Sequence, residues 1–265
     1  MGAVNAATVD RLIEGQGTPE AQWQAWPGLQ ALAPIDLDTL VPGGRRAVVV
    51  SPHPDDEVLA FGGLLALLCA RGDEPLVLAV TDGEASHPGS AEWPRAALAA
   101  RRIHESCEGL RQLGLAADRR LGLKINDGQV TAQRDRLLGK LLALLQPGDV
   151  VLSTWALDGH PDHEASADAV AIACQRLGCQ HLQAPVWMWH WAQPGDVRVP
   201  WAQMRQLVLP APVVAQKHRA IHAHVTQLNV QDTGTPAVLP DWALARLLRP
   251  FEVFILPDAP VGPTP

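Results

Sequence analysis

The chain of 265 residues is 47% hydrophobic and 18% charged, which excludes a disordered segment and allows a sizeable buried core. Its 21 Lys and Arg residues against 28 Asp and Glu residues give a formal net charge of −7, which argues against binding to nucleic acid or to membrane phosphates. No apolar run reaches the length of about 18 residues that a membrane-spanning helix needs, so no membrane span is predicted.

Residues 1–45 are predicted to form an extension packed on the main domain. They carry a short helical pattern with Thr18-Pro19-Glu20 as its cap, and two tryptophans, Trp23 and Trp26. The N-terminus has no basic segment followed by an apolar one, and the four cysteines form no Cys-x-x-Cys pair. These features predict a cytoplasmic protein with reduced thiols.

Apolar blocks then alternate with helical patterns. Strands are predicted over residues 47–51, 76–80, 149–154, 186–191, 206–209 and 251–256, and helices over residues 57–71, 90–113, 131–145, 163–177, 211–227 and 241–248. This alternation predicts an α/β fold, a Rossmann-like three-layer α/β/α domain with a mostly parallel sheet, over residues 46–257. Residues 258–265 are predicted to be a Pro-rich, frayed tail.

Two clusters of imidazoles and carboxylates follow predicted strands. Pro52-His53-Pro54-Asp55-Asp56-Glu57 comes after the first strand, and Asp158-Gly159-His160-Pro161-Asp162-His163-Glu164 comes shortly after strand 149–154. Because the carboxyl ends of parallel strands meet at one edge of a sheet, the two loops can face each other across a crevice. Imidazole nitrogens and carboxylate oxygens are good zinc ligands, and a catalytic zinc site keeps one position open for water.

Each cluster alone has an ordinary structural explanation. A His-Pro-Asp segment commonly forms a turn with a helix cap, and three acidic residues suit the start of a helix because of the helix dipole. Their combination at two strand ends favours a shared site. Adjacent Asp55 and Asp56 cannot easily point the same way, so one can bind metal while the other faces the water. His160 and His163 would share a helix face if both lay on its first turn.

The two clusters together resemble the PIG-L family, also called LmbE-like, of zinc-dependent de-N-acetylases, over about residues 46–256. Three shorter segments also resemble that family, namely Thr81-Asp82-Gly83-Glu84, Arg102-x-x-Glu105, and His224-Val225-Thr226-Gln227 with Thr in place of Ser. The resemblance implies that His53, Asp56 and His163 bind Zn²⁺, although the same ligands accept Fe²⁺ or Co²⁺. It further implies that Asp55 is the general base, that a positively charged His160 stabilises the oxyanion or protonates the leaving group, and that Asp162 orients an imidazole.

The implied activity is removal of an N-acetyl or similar N-acyl group from an amino sugar or a small-molecule sugar conjugate. Two alternatives stay open. One is the same metal-dependent amide hydrolysis on a thiol conjugate or a natural product. The other is a non-catalytic sugar-binding module, which the sequence disfavours because a binder has no need of Asp55 beside a metal site. A homo-oligomer is also left open.

Two features allow more than one interpretation, and a third departs from the family pattern. Trp187, Trp189 and Trp191 alternate, which in a strand would place their indoles on one side, either in a core or interface or as a stacking wall for a sugar or an acyl chain. Arg102 and Glu105 form either an exposed ion pair or a brace for the site loops. The loop over residues 123–128 is longer than the Leu-Pro-Asp-Gly segment common in the family.

Overall fold

The computed structural model describes residues 11–257, so the predicted tail lies outside the described residues. The strands are β1 Ala33–Pro34, β2 Ala47–Ser51, β3 Leu76–Ala79, β4 Arg120–Gly122, β5 Val150–Thr154, β6 Gln180–Ala184, β7 Met204–Val208 and β8 Phe251–Ile255. They form one sheet in the order β1-β7-β8-β6-β5-β2-β3-β4. All neighbouring pairs are parallel except those of β8, which runs antiparallel to both β6 and β7.

Helices cover both faces of this sheet. They are α1 Glu20–Ala25, α2 Pro27–Gln30, α3 Leu37–Leu40, α4 Asp56–Arg71, α5 Arg95–Gln112, α6 Arg134–Leu144, α7 Pro161–Leu177, α8 Met188–Trp191, α9 Ala211–His222, α10 Val225–Leu228 and α11 Asp241–Leu244. Short 3₁₀ turns cover Ala117–Arg119 and Trp201–Gln203. None of the helices within residues 11–257 has both the length and the apolar character that crossing a bilayer requires.

The buried strand β2 shows how the three layers arise. Val49 belongs to a core cluster that includes Leu64 and Ile221 of α4 and α9, whereas Val48 and Val50 belong to a second cluster with residues of α6 and α7. Alternate residues of a strand point to opposite faces, so a continuous β-branched run packs into the hydrophobic cores on both faces of the sheet. The predicted three-layer α/β fold with a mostly parallel sheet is confirmed.

The order of the strands brings the two motif loops together. β2 lies between β3 and β5, and the chain builds the sheet outwards from β2 through β3 to β4 on one side and from β5 to β6 on the other. The order therefore reverses between β2 and β5, and a crevice forms there at the carboxyl ends of the strands. The loops after β2 and β5 carry the two predicted clusters.

The part of the N-terminal extension that is described packs against the sheet and adds an edge strand to it. β1 pairs with β7, and the fully buried Trp23 donates a hydrogen bond from Nε1 to the carbonyl of Trp189 over 3.0 Å. Thr18 does not cap α1 as predicted, because its hydroxyl donates to the carbonyl of Ala192 and Pro19 precedes the helix. The boundary at residue 45 stays a prediction.

The predicted strand over residues 186–191 is wrong. These residues include the short helix α8. The strand in this part of the chain is β6, which comes just before them and is half-exposed. A short run of large apolar side chains fits a buried helical turn as well as a strand, so the alternating tryptophans were a misleading signal. The indoles consequently do not line one side of a strand.

Several helix boundaries also differ from the prediction. The helix predicted from residue 90 begins at Arg95, because Pro94 disfavours helical backbone at the residue before it, and the Ser90 hydroxyl accepts the Trp93 N–H instead. The helix predicted from residue 131 begins at Arg134. The helix predicted over 211–227 ends at His222, and α10 forms a separate turn.

A buried ion pair ties three of the central elements together. Lys217 Nζ of α9 lies 2.7 Å from Glu252 Oε1 of β8, and both side chains are 2% exposed. The same carboxylate accepts the backbone N–H groups of Gly63 and Leu64 in α4. A Cβ atom at Gly63 would overlap the methyl groups of Leu209, so a larger residue there would force that side chain to move.

We expect Lys217→Met to lower the free energy of unfolding by about 3–5 kcal/mol, because it leaves the Glu252 carboxylate buried without its cation. Lys140→Met on the outer helix α6 is the matched control and should change stability by less than about 1 kcal/mol. Urea unfolding followed by circular dichroism measures both. Equal losses in the two variants would show that the buried pair has no special role.

Candidate active site

The first motif loop holds its two aspartates in different directions. Asp55 precedes α4 with a φ of 147°, a conformation that residues other than glycine rarely adopt. Glu57 Oε2 accepts the Asp55 N–H over 3.0 Å and the Ser51 hydroxyl over 2.8 Å. Asp55 faces Arg102, whereas Asp56 faces His53 and the second motif loop. The strained residue is thus fixed by its neighbours, as is common at functional sites.

Asp56 connects the two loops. Its Oδ2 lies 3.3 Å from His53 Nδ1 and 3.1 Å from His163 Nε2, and all three side chains are at least largely buried. Burial alone would raise the pKa of Asp56. The neighbouring His163 and His53 lower it by more than burial raises it, so the net shift is downwards and the carboxylate is charged. The predicted ligand residues therefore converge on one point between β2 and β5.

The geometry of these donors fits a metal ion. Two atoms bound to one tetrahedral zinc at about 2.0–2.1 Å lie about 3.3–3.4 Å apart, close to the separations around Asp56 Oδ2. Within residues 11–257, the fully buried Nε2 of His163 lies 3.1 Å from Asp56 Oδ2 but makes no well-aligned hydrogen bond, so its lone pair is available to a ligand. Nitrogen atoms of His53, His160 and His163 also lie within 4.8 Å of one another. The cluster can hold a divalent cation.

A second group of donors overlaps the first at His53. Its Nε2 lies 3.3 Å from Asp127 Oδ1 and 3.4 Å from Asp162 Oδ2, and these three residues could also surround a cation. Burial lowers the pKa of His53, but hydrogen bonds to Asp127, Asp162 and Asp56 outweigh this and hold the pKa well above its usual value. Asp162 thus contacts the imidazole of His53, and the backbone N–H groups of Gly128 and Val130 hold that carboxylate in place.

His163 is oriented by Asp158, which sequence reasoning did not single out. His163 Nδ1 lies 2.8 Å from Asp158 Oδ2, and both side chains are fully buried. The same carboxylate accepts the backbone N–H groups of Val186, Trp187 and Met188. With its proton on Nδ1, the imidazole presents a lone pair on Nε2 towards Asp56 and the centre of the cluster. Burial lowers the pKa of His163, but Asp56 and Asp158 raise it to about 9 in the absence of a cation.

We expect Asp158→Asn to weaken zinc binding about 10–100-fold, because the amide cannot stabilise the Nδ1–H of His163 as a carboxylate does. Asp168→Asn, an exposed change on α7, is the matched control and should leave the affinity unaltered. Competition with a chelator of known affinity measures both dissociation constants. Unchanged zinc affinity in the folded Asp158 variant would contradict this role.

His160 occupies the position before α7 and so does not share the first helical turn with His163. Its Nδ1 accepts the backbone N–H of Asp162 over 3.2 Å, which leaves the proton on Nε2. Burial, together with the positive charges of His163 and His53, lowers the pKa of His160 to about 3. In the absence of a cation the expected positive charge is therefore absent, and His160 is a neutral hydrogen-bond donor.

Arg102 braces the site, as one of the two interpretations predicted. Its guanidinium donates to the carbonyls of Pro54 and Gly83 and lies 3.0 Å from Asp55 Oδ2. Glu105 turns away and accepts hydrogen bonds from the N–H and hydroxyl of Thr226, so the exposed ion pair is excluded. Burial raises the pKa of Asp55 to about 7 although Arg102 opposes the shift. A carboxylate in this range can accept and return a proton near neutral pH.

A cavity of about 300 Å³ opens on this cluster. Its polar lining includes His53, Asp55, Asp56, Arg102, Asp127 and His160. Trp187 and Gln227 also line it, whereas Trp189 packs in the core and Trp191 stacks on Trp155. One indole of the alternating segment, that of Trp187, therefore lines the cavity, and the other two pack within the protein.

The chain is similar in sequence to proteins of known families. Residues 48–174 match the sequence model of the PIG-L family, described as GlcNAc-PI de-N-acetylase. The 1D-myo-inositol 2-acetamido-2-deoxy-alpha-D-glucopyranoside deacetylase of Rhodococcus jostii (strain RHA1) is 27% identical over an alignment of 275 positions that covers 82% of this chain and 93% of that protein.

Two solved structures show the same fold. The A40926 pseudoaglycone deacetylase Dbv21 superposes with a TM-score of 0.59 at 24% identity, over 80% of this chain and 96% of that chain. The conserved protein TT1542 from Thermus thermophilus superposes with a TM-score of 0.52 at 28% identity, over 72% of this chain and 83% of that chain.

Proposed function

We propose, because residues 48–174 match the sequence model of the PIG-L family, that this chain is a zinc-dependent hydrolase that removes an N-acetyl group from an amino sugar or sugar conjugate. The observation that supports this most is the convergence of His53, Asp56 and His163 beside the buried carboxylate of Asp55. The reaction adds water across the amide bond, so the products are acetate and the free amine.

His53, Asp56 and His163 are the residues that would hold the metal. A zinc ion bound there would polarise the amide carbonyl and lower the pKa of water towards about 7. Asp55, with a pKa near neutrality, accepts the proton of the attacking water and returns it to the departing nitrogen. His160 donates a hydrogen bond from Nε2 to the oxygen on which negative charge develops.

Asp162 acts on His53 rather than on the substrate. Its carboxylate lies near His53 Nε2 and is itself fixed by two backbone N–H groups, so it orients the ring for binding through Nδ1. Arg102 keeps Asp55 in its unusual backbone conformation. Trp187 offers an apolar face in the cavity, where the ring of an amino sugar can stack.

Release of acetate from N-acetylated sugars tests the proposal. We expect the zinc-loaded protein to release acetate and free amine in equal amounts from N-acetylglucosamine conjugates, to lose this activity with a chelator and to regain it with zinc. Measuring acetate release with iron(II) or cobalt(II) in place of zinc compares the activity that each metal supports. Preference for an N-acetylated thiol conjugate would favour the alternative substrate class, and no release from any N-acyl compound would refute the hydrolase.

A further inference from the structure

We propose that the N-terminal strap, defined as residues 11–18, holds the loop that carries His160 in its catalytic position, and that Arg11 is the positioning residue through which it acts. The strap lies outside residues 48–174, the part of the chain that matches the family model. The inference rests on the proposed function, because the position of His160 matters only if its imidazole donates to the oxygen on which negative charge develops. A segment outside the matched region would thus support catalysis.

The strap is attached to the body of the protein by hydrogen bonds along its length. The carbonyl of Glu14 accepts a hydrogen bond from Nε2 of His190 over 2.9 Å, and the N–H of Thr18 donates to the His190 carbonyl over 2.9 Å. Between these two contacts, the carbonyl of Gln16 accepts a hydrogen bond from the Arg246 guanidinium. The side chains of His190 and Arg246 are both 3% exposed, so these buried partners fix the path of the strap.

The side chain of Arg11 reaches the second motif loop. Its Nη2 lies 3.0 Å from Oε1 of Glu164, in the first turn of α7, and the two side chains are 12% and 25% exposed. The same Oε1 accepts the N–H of Gly159, the residue before His160, over 3.1 Å. One carboxylate oxygen therefore joins the strap to the backbone beside the proposed hydrogen-bond donor.

The backbone of Arg11 also packs against Gly159. This glycine has a φ of 95°, and a Cβ atom there would lie 2.8 Å from the Arg11 carbonyl oxygen and 3.0 Å from the indole of Trp191. The same indole donates a hydrogen bond from Nε1 to the carbonyl of Asp158 over 2.8 Å. The peptide that leads into His160 is therefore packed against both the strap and the indole, and it has little room to move.

The position of this peptide bears directly on His160. Nδ1 of the ring accepts the N–H of Asp162 over 3.2 Å, so the backbone on either side of His160 sets where Nε2 points. A misplacement of about 1 Å can cost about a hundredfold in rate, and a donor stabilises the developing charge only within hydrogen-bond distance. Loss of the Arg11 contact should therefore lower kcat. Metal binding should persist, because three backbone N–H groups hold Asp158, which orients His163.

The test is a double-mutant cycle on acetate release by the zinc-loaded protein. We expect Arg11→Ala to lower kcat about tenfold, while KM and zinc affinity stay within about twofold of the wild type, since only the donor is displaced. Arg11→Lys should keep most of the activity, because the contact with Glu164 uses a single nitrogen that an ammonium can replace. In a His160→Ala background, Arg11→Ala should cost nothing further, because Arg11 acts only through His160.

Arg219→Ala, an exposed change on α9, is the control and should leave kcat, KM and zinc affinity unchanged. Wild-type kcat in a folded Arg11→Ala variant would overturn the proposal. An equal loss of kcat with and without the His160 imidazole would also overturn it, as would Arg11→Lys with no more activity than Arg11→Ala.

If the wild type released no acetate at all, the proposed function would fail instead. Hydrogen exchange at the Gly159 amide, whose N–H donates to Glu164, would then decide on the strap alone. Faster exchange in Arg11→Ala than in the wild type and in Arg219→Ala would support the proposal, and an unchanged rate would refute it.

Discussion

Asp55→Asn is expected to lower kcat about 10²–10⁴-fold while one zinc ion stays bound. The substitution keeps the shape of the side chain, but the amide cannot accept the proton of the attacking water. Arg102 still donates hydrogen bonds to the carbonyls of Pro54 and Gly83, so it should stay in place when its ion pair with Asp55 is lost.

Asp118→Asn, an exposed change in the 3₁₀ turn after α5, serves as the matched control and should retain full activity. Metal content by elemental analysis and a thermal melt accompany the kinetic measurement. If Asp55→Asn lost zinc in proportion to activity, the roles of Asp55 and Asp56 would have to be exchanged. If it kept most of its activity, Asp55 would not be the base.

His163→Ala is expected to weaken zinc binding more than about 100-fold and to abolish hydrolysis, because a metal ligand contributes more than the residues that only orient it. The loss should appear in metal content as well as in rate, unlike that of Asp55→Asn. A small residue in place of the imidazole also leaves Asp158 without the ring nitrogen it contacts, although three backbone N–H groups still bind that carboxylate.

His104→Ala, on the exposed side of α5, is the control for removing an imidazole and should keep its metal. Added zinc in the millimolar range should restore part of the activity of His163→Ala if the ligand loss alone is responsible. Stoichiometric zinc in the folded variant at low metal concentration would exclude His163 from the ligand set.

The sheet and the motif loops could be predicted because their signals are local. Val48, Val49 and Val50 form a β-branched run that is buried on both sides, and the polar residues that follow it interrupt the pattern abruptly. A second such cluster follows β5, and because β2 and β5 are parallel neighbours, the sequence pattern alone predicts that His53, Asp56 and His163 lie at one edge of the sheet.

The residues that were missed depend on contacts distant in the chain. Asp127 reaches His53 through the loop after β4, and that strand was not predicted because it has only three residues, largely exposed and without an apolar run. Asp158 stood in the second cluster, but its role depends on the backbone of residues 186–188, in a segment predicted to be a strand. Had that segment been predicted as a turn, its N–H groups would have been recognised as lacking partners.

The central claim is that two loops bind one cation between them, and anomalous diffraction at the zinc edge from crystals of the zinc-loaded protein tests it most directly. We expect a single ion within about 2.0–2.2 Å of a nitrogen of His53, a nitrogen of His163 and an oxygen of Asp56. An ion held instead by His53, Asp127 and Asp162, or no ion near His163, would contradict the claim.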